Sequence, residues 1–180
     1  MRRKAAVAVA VIAAPPFGII FVERAAHLRD HPGQIGLPGG GVDAEDGGDF
    51  ERTVLRELRE EVGVAAERVR IVGRLPMVSQ QVNTFDVTPF VAVVAPGPLT
   101  IDANETAGVF TIPLDVVVSD ALGRGTVTVG ERIVETFILD YDERRVWGLT
   151  GRILRSFAEA WHDPASGMRA AVEAELPPRT

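Results

Sequence analysis

The chain has no cysteine. Disulfide bonds, thiolate catalysis and zinc–thiolate sites are therefore all excluded. Positive charge is in short supply, with 19 Lys and Arg against 25 Asp and Glu and a net charge of −6. That balance argues against a general nucleic-acid or membrane-surface binder, because like charge repels phosphate. A phosphate-bearing small molecule stays compatible, provided metal ions and local arginines offset the field. No stretch approaches the roughly 20 apolar residues needed to span a bilayer. Internal repeats and linkers are also missing, so residues 1–180 are expected to form one domain with a full core. Apolar content (46%) and charged content (24%) are those of an ordinary globular protein.

What the chain does have is a glycine-rich loop, Pro38-Gly39-Gly40-Gly41, followed by an acid-rich helix that closes on Arg56-Glu57-Leu58-Arg59-Glu60-Glu61-Val62-Gly63-Val64. Phe50, Val54, Leu55, Leu58 and Val62 fall on one stripe of a helical wheel. Glu57 and Glu61 stand four residues apart, so they share a helical face at the edge of that stripe, with Glu60 beside them. Acids clustered at an apolar edge repel one another unless a cation sits among them. A hard divalent ion held by oxygen ligands answers that need, and Mg²⁺ typically bridges such carboxylates to substrate phosphates. Asp49 is the expected N-cap and Gly63 the left-handed residue that stops the helix.

Arg56 to Val64 resembles the second half of the Nudix box, R-E-U-x-E-E-x-G-U with U aliphatic, at every position. The first half, G-x5-E-x7, departs: Gly48 stands where the box has Glu, and Val42 where it has Gly. The loop is longer here, and Glu45, Asp46 and Asp49 are the candidates for the first box acid, expected as an outer metal ligand. Upstream, Arg24 to Gly40 is similar to a signature of coenzyme A-cleaving Nudix hydrolases, L-L-T-x-R-[SA]-x3-R-x3-G-x3-F-P-G-G. Arg24, Ala25, Arg29, Gly33 and Pro38-Gly39-Gly40 fall in register. Ile20-Phe21-Val22 replace L-L-T, and Leu37 replaces the phenylalanine.

Elsewhere the patterns are local. Met1-Arg2-Arg3-Lys4 and the apolar run after it have the charge layout of a signal peptide, but Val7, Val9 and Val11 alternate with alanines, which is strand periodicity. A strand pair turning at Pro15-Pro16-Phe17-Gly18 is the expectation. The end, Pro177-Pro178-Arg179-Thr180, carries no peroxisomal tripeptide, and a cytoplasmic location is expected. Further strands are expected over 68–75 and 84–94, with Pro89 marking an edge or a bulge. A loop is expected over 76–81, a short helix over 114–122, a hairpin turning near Gly130-Glu131, a turn over 140–145 and a last helix from Val146 to about Trp161. Trp147 reads as a core residue rather than an adenine platform. Asn104-Glu105 resembles the N-E segment that Nudix chains often carry, with Glu105 as metal ligand or general base.

The resemblance implies a mixed α/β Nudix fold, a β-sheet sandwiched between helices, and hydrolysis of a pyrophosphate joined to another moiety. It implies Glu57, Glu60 and Glu61 as ligands of Mg²⁺ or Mn²⁺, and Arg56 as the residue that holds those acids in place. Gly39, Gly40 and Gly41 would let backbone approach substrate, and Arg24 and Arg29 would bind it. The expected substrate is coenzyme A or acyl-coenzyme A, cleaved to 3′,5′-ADP and the 4′-phosphopantetheine part. ADP-ribose, dinucleotide or damaged-nucleotide hydrolysis is the alternative, and a non-catalytic nucleotide-sensing module is a third reading that the intact acids oppose.

Overall fold

The structure is a computed structural model that describes residues 2–27, 33–80, 85–102, 104 and 106–178. Its main sheet is built on β1 (Arg3–Ile12), where the alternation seen in the sequence sends alanines to one face and valines to the other. β2 (Gly18–Arg24) returns antiparallel from the turn at Pro15-Pro16, and Val11 pairs with Ile19. Beyond that pair the two strands splay, and the chain between 35 and 41 fills the gap. β3 (Ile35–Gly36) pairs with β2, and β4 (Gly39–Gly41) pairs with β1 through Ala5↔Gly41, Ala6↔Gly40 and Val7↔Gly39. The glycine-rich stretch expected as a loop is thus strand.

On the other side of β1 runs β7 (Phe85–Val94), parallel over its whole length. Antiparallel to β7 lie β5 (Val69–Arg74) and β6 (Val78–Gln80), while β8 (Thr106–Pro113) covers the outer edge of β2. β6 occupies part of the stretch 76–81 that the sequence assigned to a loop. Pro89 does not sit on an edge strand, because β7 has neighbours on both sides. Its missing N–H falls where β5 has ended and β6 has not begun, and there Leu75 N–H still donates to the Pro89 carbonyl at 2.9 Å. The one register shift along this pair lies on β5, between Ile71 and Gly73 opposite Ala92 and Val91, and not at Pro89.

Helix α1 (Phe50–Val62) packs Val54, Leu58 and Val62 on the face that carries Ala6, Ala8, Ala10, Ile20 and Val22. The opposite face is covered by α3 (Gly148–His162), whose Ile153, Leu154, Phe157 and Trp161 meet Val9, Val11, Ile19 and Phe21. This is the expected sheet between helices. Helix α2 covers only Leu114–Val117 rather than reaching 122, because the Ser119 hydroxyl donates to the Val116 carbonyl and accepts from the Ala121 N–H. A separate three-stranded sheet follows: β9 (Gly123–Val129), β10 (Arg132–Tyr141) and β11 (Arg144–Val146). β11 takes residues expected as turn and helix start. Trp147 is half-buried just before α3, and Trp161 takes the core position instead. A last short helix, α4 (Met168–Glu173), packs on α3 and β5.

Candidate active site

The position of α1 is set at both ends. The Asp49 carboxylate accepts from the Glu51 N–H at 2.9 Å and the Arg52 N–H at 3.4 Å, as an N-cap does. Gly63, at φ 68°, returns its N–H to the Arg59 and Leu58 carbonyls. Between these caps the buried Val54, Leu58 and Val62 fix the rotation of the helix about its axis. That rotation lays Glu57 and Glu61 against consecutive residues of β4. The Gly39 N–H donates to Glu61 Oε2 at 2.9 Å. The Glu57 carboxylate lies over Gly40, where a Cβ would come within 2.3 Å of Glu57 Oε1. Gly39 is confined too, with φ 153° and a Cβ position 2.4 Å from the Ala6 carbonyl oxygen. Gly41 meets no such obstacle, and contributes its carbonyl instead.

Arg56 is the hub that holds this arrangement. Its side chain is only 10% exposed, and every donor group is engaged. Nε and Nη2 fork onto Asp46 Oδ1 and Oδ2 at 3.1 Å each, and Nη2 also donates to the Gly41 carbonyl at 2.9 Å. Nη1 donates to Glu57 Oε1 at 2.9 Å and to Glu60 Oε2 at 3.0 Å. One guanidinium thus ties helix α1, strand β4 and the loop between them, using the planar geometry that Lys lacks.

The three acids that the sequence left open separate cleanly. Asp46 is buried at 3% exposure and takes the Arg56 fork, the Thr53 hydroxyl at 2.8 Å and the Asp43 N–H at 2.9 Å. Asp49 is the helix cap, and Glu45 is exposed, 3.8 Å from Arg56 Nε. Asp46 is therefore the anchor of Arg56 rather than the outer metal ligand expected for that position. The Arg56 fork holds the Asp46 carboxyl at about 2, below its usual 3.8, with the Asp43 N–H and Thr53 hydroxyl adding and burial opposing. Arg56 is pushed far above its own ordinary range, first by Asp46 and then by Glu60 and Glu57. The sequence carried only an indirect signal for Asp46: a buried Arg56 needs a carboxylate, and which of several neighbouring acids supplies it is decided by packing.

Around this centre, Arg24 ends β2 beside Thr106, and its backbone pairs with Gln34 and Gly33. The His27 ring bonds to the Asn104 carbonyl at 3.0 Å, and the Asp102 carboxylate accepts from the Asn104 N–H at 2.9 Å. Sequence reasoning singled out the histidines only as part of a polar loop. Arg29 and Glu105 lie outside the described residues.

The donor set fits a hard divalent cation. Glu57 and Glu61 offer carboxylate oxygens on one helical face, tightly set against glycine backbone, and Glu60 stands next to them at half exposure. Among the described residues no three acids or histidines close into a cage. An open set of this kind suits a Mg²⁺ or Mn²⁺ ion that completes its shell with water and phosphate oxygens. A groove of about 450 Å³ lined by Asp49, Phe50, Ile71, Gly73 and Arg74 lies at the other end of α1 and includes none of these carboxylates.

The NUDIX domain family matches residues 2–126 of the chain. Over 165 residues the chain is 35% identical to the uncharacterized Nudix hydrolase NudL of Salmonella paratyphi B, covering 87% of this chain and 82% of that protein. Among solved structures, a C. elegans Ap4A hydrolase binary complex has a TM-score of 0.56 at 19% identity, over 87% of this chain and 96% of that one. The NUDIX domain of Shewanella oneidensis NrtR complexed with ADP ribose has a TM-score of 0.53 at 23% identity, over 66% and 77%. Those two likenesses are of fold. Family match and identity agree with the helix, glycine strand and carboxylates described above, and the chain belongs to the Nudix hydrolase family.

Proposed function

We propose that the protein is a divalent-metal-dependent pyrophosphohydrolase that cleaves coenzyme A or acyl-coenzyme A to 3′,5′-ADP and 4′-phosphopantetheine or its acyl form. The observation that carries the hydrolase reading is the seating of Glu57 and Glu61 on Gly39 and Gly40 with Arg56 clamped behind them. Glu57, Glu60 and Glu61 would hold Mg²⁺ or Mn²⁺, which supplies neutralisation of phosphate charge and makes water a nucleophile at neutral pH. Arg56 holds the Glu57 and Glu60 carboxylates in place through its Nη1. Gly39 and Gly40, expected to let backbone approach substrate, instead let the Glu61 and Glu57 carboxylates lie directly on the β4 backbone. Glu105, next in sequence to Asn104, is the assigned proton acceptor.

The coenzyme A assignment is supported by the signature running from Arg24 to Gly40. Of that stretch, Arg24 ends β2 and Gly39–Gly41 form the strand on which the carboxylates are seated. Arg24 and Arg29 are assigned to the 3′-phosphate that distinguishes coenzyme A from dephospho-coenzyme A. The test is kcat/KM for coenzyme A, dephospho-coenzyme A and ADP-ribose with wild type, Arg24→Ala and Arg29→Ala. An arginine that grips the 3′-phosphate costs coenzyme A about 1.5–3 kcal/mol when removed, and dephospho-coenzyme A much less. Equal losses on both compounds make the arginine a support of the loop. A wild type that prefers ADP-ribose overturns the coenzyme A assignment and leaves the metal chemistry standing.

A further inference from the structure

The β9–β10 hairpin has its own pairing, Gly123–Val129 against Arg132–Ile138, and turns at Gly130-Glu131. Its inner half is held by α3, which packs on β10 around Phe137 and Leu139. Its outer half carries Ile133, Val129 and Val134 at 77%, 47% and 40% exposure. By register Val127 faces Val134 and Val129 faces Arg132, so three valines share one side of the arm while Ile133 and Thr128 share the other. A two-stranded ribbon is marginal in water without cover. Among the described residues β9 pairs with β10 alone, which leaves its outer edge unpaired. From Gly125 to Gly130 that edge has no charge, no proline and no bulge, the devices by which exposed edges are normally kept from pairing.

The strand best suited to this edge is β9 itself. We propose that two copies of the chain associate through β9, antiparallel, about a two-fold axis that passes at Val127. In that register Val127 meets its own counterpart, Thr126 meets Thr128, and Val129 meets Gly125, which has no side chain to obstruct it. The valine pairs of both arms then form one apolar band across the joined sheets. Charge is complementary as well: Arg124, the one charged side chain on β9, lies opposite Gly130 of the other copy, next to the exposed Glu131. No like charges face each other. Because a two-fold pairing uses both edges at once, the assembly closes at two copies.

The test is light scattering of the full chain across a dilution series, with Val127→Lys alongside. Twice the chain mass of 19.3 kDa is expected for wild type, and the single mass for Val127→Lys with unchanged circular dichroism. The chain lacks cysteine, so a single introduced thiol reports contact without background. Under oxidised glutathione, Val127→Cys should form a covalent dimer rapidly, while Glu67→Cys, exposed on the 66–68 turn, should not. The thiol variant also decides the matter should Val127→Lys fail to fold. A monomeric wild type, a Val127→Lys variant that stays dimeric, open-ended assemblies, or equal cross-linking of both thiol variants would each overturn the proposal.

Discussion

Under α1 the central strand presents Ala6, Ala8 and Ala10; under α3 the same strand presents Val9 and Val11 to Phe157 and Leu154. The small residues let α1 lie near enough to the sheet for Glu61 to accept from the backbone of β4 and for Glu57 to rest on Gly40. The large ones fill the opposite layer with aromatic and branched side chains, among them Phe157 and Trp161, whose tilted rings have centroids 5.9 Å apart. One face is therefore arranged around ionised groups and close backbone approach, and the other around apolar volume. On the proposed function, activity depends on the α1 side of the sheet and apolar packing on the α3 side, so substitutions should separate the two.

The largest separation is expected from Glu61→Gln. Its turnover should fall roughly 10³-fold, the rate equivalent of about 4 kcal/mol of lost metal assistance, with little change in Tm. Equal turnover at saturating Mg²⁺ would break the comparison on the α1 side. Leu154→Ala should do the reverse. Removing a fully buried leucine from the α3 layer is expected to cost about 2–5 kcal/mol in denaturant unfolding while kcat below the melting transition stays normal. Gly40→Ala sharpens the boundary between the faces. The new methyl displaces the flexible end of Glu57 rather than backbone, so kcat should drop by about 10²-fold, as for a catalytic group moved by an ångström, while unfolding is nearly unchanged.

A smaller effect tests the Arg56 hub through pH. The Asp46 carboxyl is depressed from 3.8 to about 2 in the folded protein. Its contribution to stability is therefore complete above the unfolded value and is lost as pH falls through the folded one. Wild type should lose stability over that acid range, and Asp46→Asn, destabilised at neutral pH, should show a flatter profile there. Parallel profiles would remove Asp46 as the charged anchor. The smallest effect is expected from His27→Ala, which removes the hydrogen bond to the Asn104 carbonyl. A loss of about 1 kcal/mol in kcat/KM, without a change in Tm, fits a single hydrogen bond.

The helix and its carboxylates were legible because their signals are local. A capped 13-residue helix repeats its apolar stripe several times, and the Asp49 and Gly63 caps mark its ends in sequence. The alternation in β1 was equally plain. Strands β3, β4 and β6 were missed because two or three residues cannot display a period, and their pairing is imposed by the splay of β1 and β2 or by β7. Pro89 misled for a related reason: a missing N–H is harmless in a central strand when the neighbouring strand is interrupted at that point. Asp46 was one of several adjacent acids, and only burial beside Thr53 and Arg56 distinguishes it.

The central claim is that the face under α1 holds the catalytic metal and the face under α3 does not. Titration of Mn²⁺, followed by electron paramagnetic resonance of the free ion, tests it without assuming a substrate. Wild type and Leu154→Ala should bind with the same affinity below the melting transition of either. Glu57→Gln should bind at least about tenfold more weakly, since altering even the partners that orient a metal ligand costs that much and Glu57 is itself a proposed ligand. Equal Mn²⁺ affinity in Glu57→Gln and wild type would contradict the account.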